Sequence, residues 1–259
     1  MEKKEKAKHS KRKRSKLQIL CIAIFALCIV CIVYYLCNWY ITRNKDILDD
    51  IDIDTSEVTK EKTARMLQLE ELQKENSEII GWIEIEGTII NYPVCQPMGD
   101  DDSYYMTRNY KKEKDNDGAI FLDPKYNWKI PSTNLLLYGH NNKNGTMFQE
   151  LMNYKKEDYY KDHSKIRFTT IEEDAEYEII AVFLSRVYYK NEENVFRFYY
   201  FIDAEYEDEF DYYVSESKKA SLYDTGKTAI YGEQLMTLVT CEYSQEDGRL
   251  AVVLKKISK

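Results

Sequence analysis

The stretch QLMTLVTCEYSQEDGRLAVVLKKI, residues 234–257, contains two apolar, β-branched runs separated by a polar segment with one glycine. Runs of this length and composition, bounded by turn residues, are typical of buried β-strands. The spacing therefore predicts a β-hairpin made of residues 234–241 and 249–257. It also places Cys241 at the end of the first strand and Arg249 at the start of the second, so both lie at the same end of the hairpin.

Six further strand-like runs precede that hairpin along the chain. Residues 82–96 form two of them around a turn at Gly87, and the others are residues 118–123, 134–140, 165–170 and 175–187. About eight short strands separated by turn residues favour a closed barrel or a sandwich. We predict a mainly β fold with a few helices, and the strand count by itself leaves a closed barrel and a sandwich both open. Helical spacing predicts those helices within residues 146–163 and 203–223, and another from Thr59.

The first part of the chain has a different composition from the rest. Residues 1–16 carry nine Lys or Arg and two Glu, whereas residues 17–41 carry no charge and end in Tyr and Trp. That run is long enough to cross a bilayer, and the basic flank stays in the cytoplasm by the positive-inside rule. A cleaved signal peptide has a shorter apolar core. We predict a cytoplasmic tail (1–16), a transmembrane helix acting as an uncleaved signal anchor (17–41), an extracellular stalk with an N-terminal helix (42–74) and an extracellular main domain (75–259).

The charge outside the tail is strongly acidic. There, 28 basic residues stand against 43 acidic ones, a net charge of −15. Binding to nucleic acid needs clustered Lys and Arg for the phosphates, so nucleic acid is excluded as a partner. The basic tail beside an apolar span instead indicates membrane topology and favours anionic lipid.

Cysteine and histidine are scarce in the predicted extracellular part. Four of the six cysteines lie within residues 17–41, which leaves Cys95 and Cys241. This is not the pattern of a disulfide-rich scaffold, although the sequence leaves a bond between these two open. We interpret Cys95, inside the strand-like run YPVCQ, as a packing residue. No cluster of His, Cys and carboxylates has metal-ligand spacing, so we predict no metal and no cofactor.

Three residue types in this part could together perform nucleophilic catalysis. Cys241 ends a strand, Arg249 opens the next one, and His140 ends the run NLLLYGH before a polar loop. A thiolate stabilised by a nearby base or cation is a good nucleophile, and a guanidinium suits a developing oxyanion. His163 lies in the charged segment YKDHSKI, and we interpret it as a surface or helix-end residue. Residue types alone leave a catalytic and a packing role for Cys241 both open.

Two motifs make the chain resemble the sortases, the membrane-anchored cysteine transpeptidases of Gram-positive bacteria. LLLYGHNNKNGTMFQEL (residues 135–151) looks like the catalytic-histidine motif of that family, and TLVTCEYSQEDGRLAVV (residues 237–253) is similar to its TLxTC…R signature. The resemblance implies a closed eight-stranded, sortase-like β-barrel with a few helices, and it makes residues 75–259 the catalytic domain. It also implies Cys241 as nucleophile, His140 as general acid/base and Arg249 as stabiliser of the oxyanion or substrate.

The resemblance also implies a substrate groove beside the nucleophile. Val239 and Thr240 are its expected substrate-binding residues, and Val239 departs from the Ser that class B sortases often have there. Glu242 is expected to contribute its backbone N–H to an oxyanion hole. The helical insertion before YGEQLMTLVTC and the stretch SLYDTG (residues 221–226) resemble class B.

The implied reaction acts on surface proteins that carry a C-terminal sorting signal of the NPxTN or xPxTG kind. The enzyme cleaves after Thr through a thioacyl intermediate, which an amine from a cell-wall peptide or a lipid-linked precursor resolves. The implied location is the cell membrane, with a single span and the catalytic domain outside.

Three alternatives compete with this interpretation. A pilus-polymerising sortase would share the chemistry, but the DPW-like lid motif of class C sortases is absent. A non-catalytic membrane-tethered binding domain on a sortase-like barrel would share the fold, because fold does not guarantee activity. An L,D-transpeptidase is disfavoured because its signature has Arg two residues after the Cys, where this chain has Tyr243.

Overall fold

The computed structural model describes residue 28, residues 31–36 and residues 62–257. Residues 28 and 31–36 are helical and exposed. Within the described parts of the chain, no helix is both long enough and apolar enough to cross a membrane. The predicted tail (1–16), most of the predicted anchor (17–41) and residues 42–61 of the predicted stalk and helix (42–74) lie outside the described residues.

Eight strands form the centre of the molecule. They are β1 (Ile79–Glu84), β2 (Asn91–Cys95), β3 (Ile120–Leu122), β4 (Asn134–Tyr138), β5 (Lys165–Thr169), β6 (Asp174–Arg186), β7 (Leu235–Cys241) and β8 (Gly248–Lys256). They close into a barrel in the order β1-β2-β3-β4-β7-β8-β6-β5. The prediction of a closed eight-stranded barrel is confirmed, and each strand lies at or near its predicted position.

The register of β4, β7 and β8 determines what lies at one end of the barrel. β7 and β8 pair antiparallel, with Cys241 opposite Arg249. β4 and β7 pair parallel, with Tyr138 opposite Val239. Because parallel strands end at the same edge of a sheet, the chain that follows β4 emerges beside the end of β7.

The continuous apolar run in β7 is explained by burial on both faces. Residues 235–240 are all buried. A strand covered on both sides cannot expose every second residue to water, so its sequence does not alternate. On β7, the hydroxyl of Tyr213 from α3 (Glu207–Ala220) lies 2.7 Å from the hydroxyl of Thr237.

The predicted helices are present with changed boundaries. Residues 146–163 contain a 3-10 helix (Gln149–Lys155) followed by the short helix α2 (Glu157–Asp162). Two further 3-10 turns are Tyr104–Met106 and Phe198–Tyr200.

The first helix of the barrel unit is α1 (Ala64–Glu75), and Thr59, the predicted helix start, lies outside the described residues. Thr63 is its N-cap, and the Thr63 hydroxyl accepts the N–H of Met66 at 3.3 Å. A capping hydroxyl satisfies an N–H of the first turn that has no partner within the helix, which favours a start at this residue.

α1 packs against the barrel instead of standing apart from it. Met66, Leu69 and Leu72 are buried, and α1 belongs to the same compact unit as the strands. The helix that the sequence analysis grouped with the stalk is therefore packed as part of the barrel domain.

Candidate active site

Three sequence-predicted residues meet at the barrel edge defined by β4, β7 and β8. Cys241 is the last residue of β7, and Arg249, the second residue of β8, is its cross-strand partner. His140 lies two residues beyond β4, and the N–H of Gly139 donates to the Val239 carbonyl at 3.1 Å. All three side chains are partly buried and line the same pocket. The fold therefore brings His140 together with two residues that lie about a hundred positions further along the chain.

Two side-chain hydrogen bonds tie the histidine loop to the nucleophile strand. The hydroxyl of Thr240 donates to the Gly139 carbonyl at 2.8 Å, and the Asn141 side-chain amide donates to the Cys241 carbonyl at 2.8 Å. The residues on both sides of His140 are thus fixed against β7. Asn141 was not among the residues predicted from the sequence, although its place directly after the predicted base was a usable signal.

Gly139 allows this close approach. A Cβ built at Gly139 would lie 2.5 Å from Ile120 Cδ1 and 2.7 Å from the ring of Phe148. Real Cβ atoms do not come this close to other carbons, so any side chain here would push the strand end away from its neighbours. The glycine before the histidine is therefore required by packing.

The pocket has a volume of about 290 Å³ and a mixed wall. Val239 and Thr240, the predicted substrate-binding residues, are each 2 % exposed and line it. The remaining lining residues are Asp102, Ser103, Met106, Phe121, Tyr138, Gly139, Val187, Phe198 and Tyr199. Apolar side chains beside a few polar groups are typical of sites that bind a small or extended ligand.

The guanidinium of Arg249 is held at the start of β8. Its Nη1 donates to the carbonyls of Asp247 at 3.2 Å and Gly248 at 2.9 Å. Arginine stays charged at every relevant pH, so this arrangement keeps a positive charge at the pocket. The remaining donors of its planar fork are suited to an oxyanion or a substrate carbonyl.

His140 contacts a segment that the sequence analysis did not consider. Its Nε2 lies 2.7 Å from the backbone carbonyl of Met106, in the 3-10 turn Tyr104–Met106. A backbone carbonyl is present at every residue, so no sequence pattern distinguishes this one.

The backbone of Glu242 does not fit its predicted role. Its N–H donates to the Gly248 carbonyl at 2.9 Å, closing the turn between β7 and β8. An oxyanion-hole donor must be free to point at the developing charge, and this N–H is already used. Glu242 also does not line the pocket.

The side chain of Glu242 instead forms a buried ionic cluster. The residue is 4 % exposed, and its carboxylate pairs with Lys155 at 2.5 Å and accepts the Ser244 N–H at 3.0 Å. Burial raises the pKa of the Glu242 carboxyl, but the bonds from Lys155 and Ser244 outweigh it, so the pKa lies below its ordinary value.

The other cysteine and histidine of the barrel lie away from the pocket. Cys95 is fully buried and unpaired, and Cys241 is also a free thiol, so the two form no disulfide. Burial raises the pKa of the Cys95 thiol, as expected for a packing residue. His163 is the C-cap of α2 and stacks on Tyr159 with ring centroids 4.2 Å apart. Among the described residues, no group of three or more His, Cys, Asp and Glu is arranged to hold a metal ion.

Comparison with known proteins identifies relatives of this barrel. The family profile described as the sortase domain matches residues 83–257. Sortase B of Listeria monocytogenes is 32 % identical over 226 residues, covering 83 % of this chain and 86 % of the relative.

Solved structures lead to the same group of proteins. A Bacillus anthracis protein described as similar to sortase B has a TM-score of 0.67 at 30 % identity, covering 87 % of this chain and 98 % of the other. A Staphylococcus aureus sortase B–substrate complex has a TM-score of 0.64 at 29 % identity, covering 74 % and 86 %.

Proposed function

The chain belongs to the sortase family, class B, whose members are cysteine transpeptidases, and we propose that Cys241, His140 and Arg249 form its catalytic centre. The observation that carries this proposal is the shared pocket. Cys241 and Arg249 are cross-strand partners at its edge, and His140 enters from the parallel strand alongside. This arrangement supplies a nucleophile, an acid/base and a fixed positive charge around one apolar cleft.

The proposed acylation step uses all three groups. The Cys241 thiolate attacks the carbonyl carbon of the scissile peptide bond, a C–S bond forms, and the carbonyl electron pair moves onto oxygen. Arg249 offsets that negative charge. When the C–N bond breaks, His140 donates a proton to the leaving amine, and a thioester remains on Cys241.

The proposed second step reverses these roles with a different amine. The incoming amine attacks the thioester carbon and His140 takes up its proton. The C–S bond then breaks and returns the electron pair to the Cys241 thiolate. A new amide bond joins the two peptides, so the net reaction is transpeptidation without consumption of a cofactor.

The proposed substrate is a surface protein with a C-terminal sorting signal of the NPxTN or xPxTG kind, cleaved after its Thr. An extended peptide with a proline suits an apolar pocket whose wall includes Phe121 and Phe198. The substrate complex of the S. aureus relative supports this choice of substrate class. The proposed acceptor is an amine of a cell-wall peptide or of a lipid-linked precursor.

We further propose that residues 17–41 anchor the enzyme in the cell membrane, with residues 1–16 in the cytoplasm and the barrel outside. The basic flank, the uncharged run and the aromatic residues at its far end support this topology. Residues 42–58 then act as the spacer between membrane and barrel.

The decisive experiment compares Cys241→Ala with Cys95→Ala in the full-length protein. Both variants lose one thiol, but only Cys241 lines the pocket. We expect Cys241→Ala to lose cleavage of a sorting-signal peptide and the hydroxylamine-trapped product, while Cys95→Ala keeps both. Mass spectrometry of the acyl-enzyme locates the thioester. Unchanged cleavage by Cys241→Ala would refute the nucleophile assignment, whereas no cleavage by the wild type would favour a binding role for the barrel.

A further inference from the structure

The contact between His140 and Met106 assigns a proton to one ring nitrogen. His140 Nε2 lies 2.7 Å from the Met106 carbonyl oxygen, which can only accept a hydrogen bond. Nε2 must therefore carry the hydrogen in this contact. The other nitrogen, Nδ1, is left to take up and release a proton, because the partner of one imidazole nitrogen determines the state of the other.

Tyr105 anchors the 3-10 turn that presents the Met106 carbonyl. Tyr105 is fully buried, and its hydroxyl donates to Glu78 Oε2 at 2.6 Å and accepts from the Asn76 amide at 3.0 Å. Its own carbonyl accepts the Ala119 N–H at 2.9 Å. The residue next to Met106 is therefore held through both its side chain and its backbone.

Glu78 connects this anchor to the rest of the barrel. It lies directly before β1, and its second oxygen pairs with Lys112 at 3.1 Å. A carboxylate that accepts from a hydroxyl and from an ammonium group at once has little freedom to reorient. The position of the Tyr105 hydroxyl is thereby fixed relative to the first strand.

Gly118 packs tightly against the contact between His140 and the Met106 carbonyl. A Cβ on Gly118 would lie 2.7 Å from the Tyr105 carbonyl, 2.9 Å from the Met106 carbonyl and 3.0 Å from His140 Cδ2. Gly118 has φ +66°, which glycine adopts without strain. The imidazole and the carbonyl are thus held together over a position where no side chain fits.

We propose that Glu78 and Tyr105 are positioning residues for the acid–base step, because they hold the Met106 carbonyl against His140 Nε2 and leave Nδ1 as the nitrogen that exchanges the proton. This proposal rests on the proposed role of His140. The backbone carbonyl does for His140 what an orienting carboxylate does in other nucleophile–base pairs: it sets the tautomer and aims the ring. Glu78, Tyr105 and Met106 lie outside the motifs that predicted the site from the sequence.

The first test is direct observation of the His140 tautomer by NMR in the full-length protein labelled with ¹⁵N-histidine. The chain has only three histidines, and His163→Gln assists the assignment. We expect neutral His140 to carry its hydrogen on Nε2. A neutral form protonated on Nδ1 would overturn the proposal, even if His140→Ala is inactive.

The second test compares Tyr105→Phe with Tyr213→Phe. Tyr213 is 1 % exposed and its hydroxyl also makes a 2.7 Å hydrogen bond, but it does not line the catalytic pocket. We expect both variants to lose stability, whereas only Tyr105→Phe lowers kcat, by about tenfold, with KM changed less than about twofold, because the acid–base step is affected and binding is not. Glu78→Gln is expected to give the same split between kcat and KM.

The outcomes separate this proposal from the proposed function. Equal kcat in Tyr105→Phe, Glu78→Gln and Tyr213→Phe would reduce Glu78 and Tyr105 to structural residues and overturn the positioning role. Full turnover by His140→Ala would instead overturn the proposed function, whichever nitrogen carries the hydrogen.

Discussion

The ion pair between Lys155 and Glu242 offers a quantitative test of the architecture beside the active site. Glu242 follows the proposed nucleophile and is 4 % exposed, whereas the Lys155 side chain keeps 34 % of its surface exposed. Lys155 ends the 3-10 helix Gln149–Lys155, which follows the histidine loop. Replacing Lys155 by Met keeps the aliphatic stem and leaves a buried carboxylate without its cation.

The expected cost of Lys155→Met follows from this geometry. Removing one partner of a fully buried ion pair costs roughly 3–5 kcal/mol, because the remaining charge has lost its compensation. Here the cost is smaller, since the Lys155 side chain is one-third exposed and the bonds from Ser244 remain. We expect a loss of about 2 kcal/mol in the free energy of unfolding at pH 7, or a drop of about 6 °C in Tm for a domain of this size.

The pH dependence gives the sign of the effect. The pKa of Glu242 is lowered in the folded protein, so the carboxylate contributes stability above its unfolded pKa of about 4.3, and this stability is lost as the pH falls through the folded pKa. In Lys155→Met the isolated carboxylate is most costly at neutral pH, and protonation relieves it. The difference between wild type and variant should therefore be largest near pH 7 and shrink toward pH 4.

The assay is urea unfolding followed by fluorescence at several pH values, with Glu242→Gln and the double variant as partners. The double variant leaves no buried charge, so it should be more stable than Lys155→Met alone at pH 7. A destabilisation by Lys155→Met that is independent of pH, or a double variant that shows the sum of the two single losses, would refute the reasoning.

Two further predictions concern packing, each measured by urea unfolding against a matched control. Gly139→Ala should lower the free energy of unfolding by about 1–3 kcal/mol and lower kcat, because its Cβ would collide with Ile120 and displace the loop of the proposed base. Gly99→Ala is the control and should change little, since nothing lies within 4 Å of its Cβ. Equal stability and activity of the two variants would contradict this prediction. Leu69→Ala should lower the free energy of unfolding by about 3 kcal/mol, since Leu69 is fully buried between α1 and the barrel. Leu222→Ala, at an exposed position, should cost far less. A loss below about 1 kcal/mol in Leu69→Ala would show that α1 is not packed on the barrel.

The strands could be predicted from the sequence because the signals for strands are local. Each strand is a short β-branched run between turn residues; these runs favoured a barrel or a sandwich, and the resemblance to the sortases decided for the closed barrel. The hairpin spacing also placed Cys241 beside Arg249, because an antiparallel pair with a short turn has a nearly determined register. Helix boundaries were less accurate, since the N-cap at Thr63 resembles several other polar residues nearby.

The surroundings of the candidate site were decided by contacts between distant parts of the chain. The His140–Met106, Lys155–Glu242 and Asn141–Cys241 contacts join residues 34, 87 and 100 positions apart. No local periodicity encodes such pairs.

The sequence by itself determined the strands, the hairpin with its thiol and guanidinium, and the motifs that mark the family and, with the family, the closed barrel. Only the tertiary structure decided which nitrogen of His140 is held by a backbone carbonyl, and that the Glu242 N–H closes a turn instead of facing the pocket. The physical reason is that backbone donors and acceptors are the same at every residue, so their use depends on the closed fold.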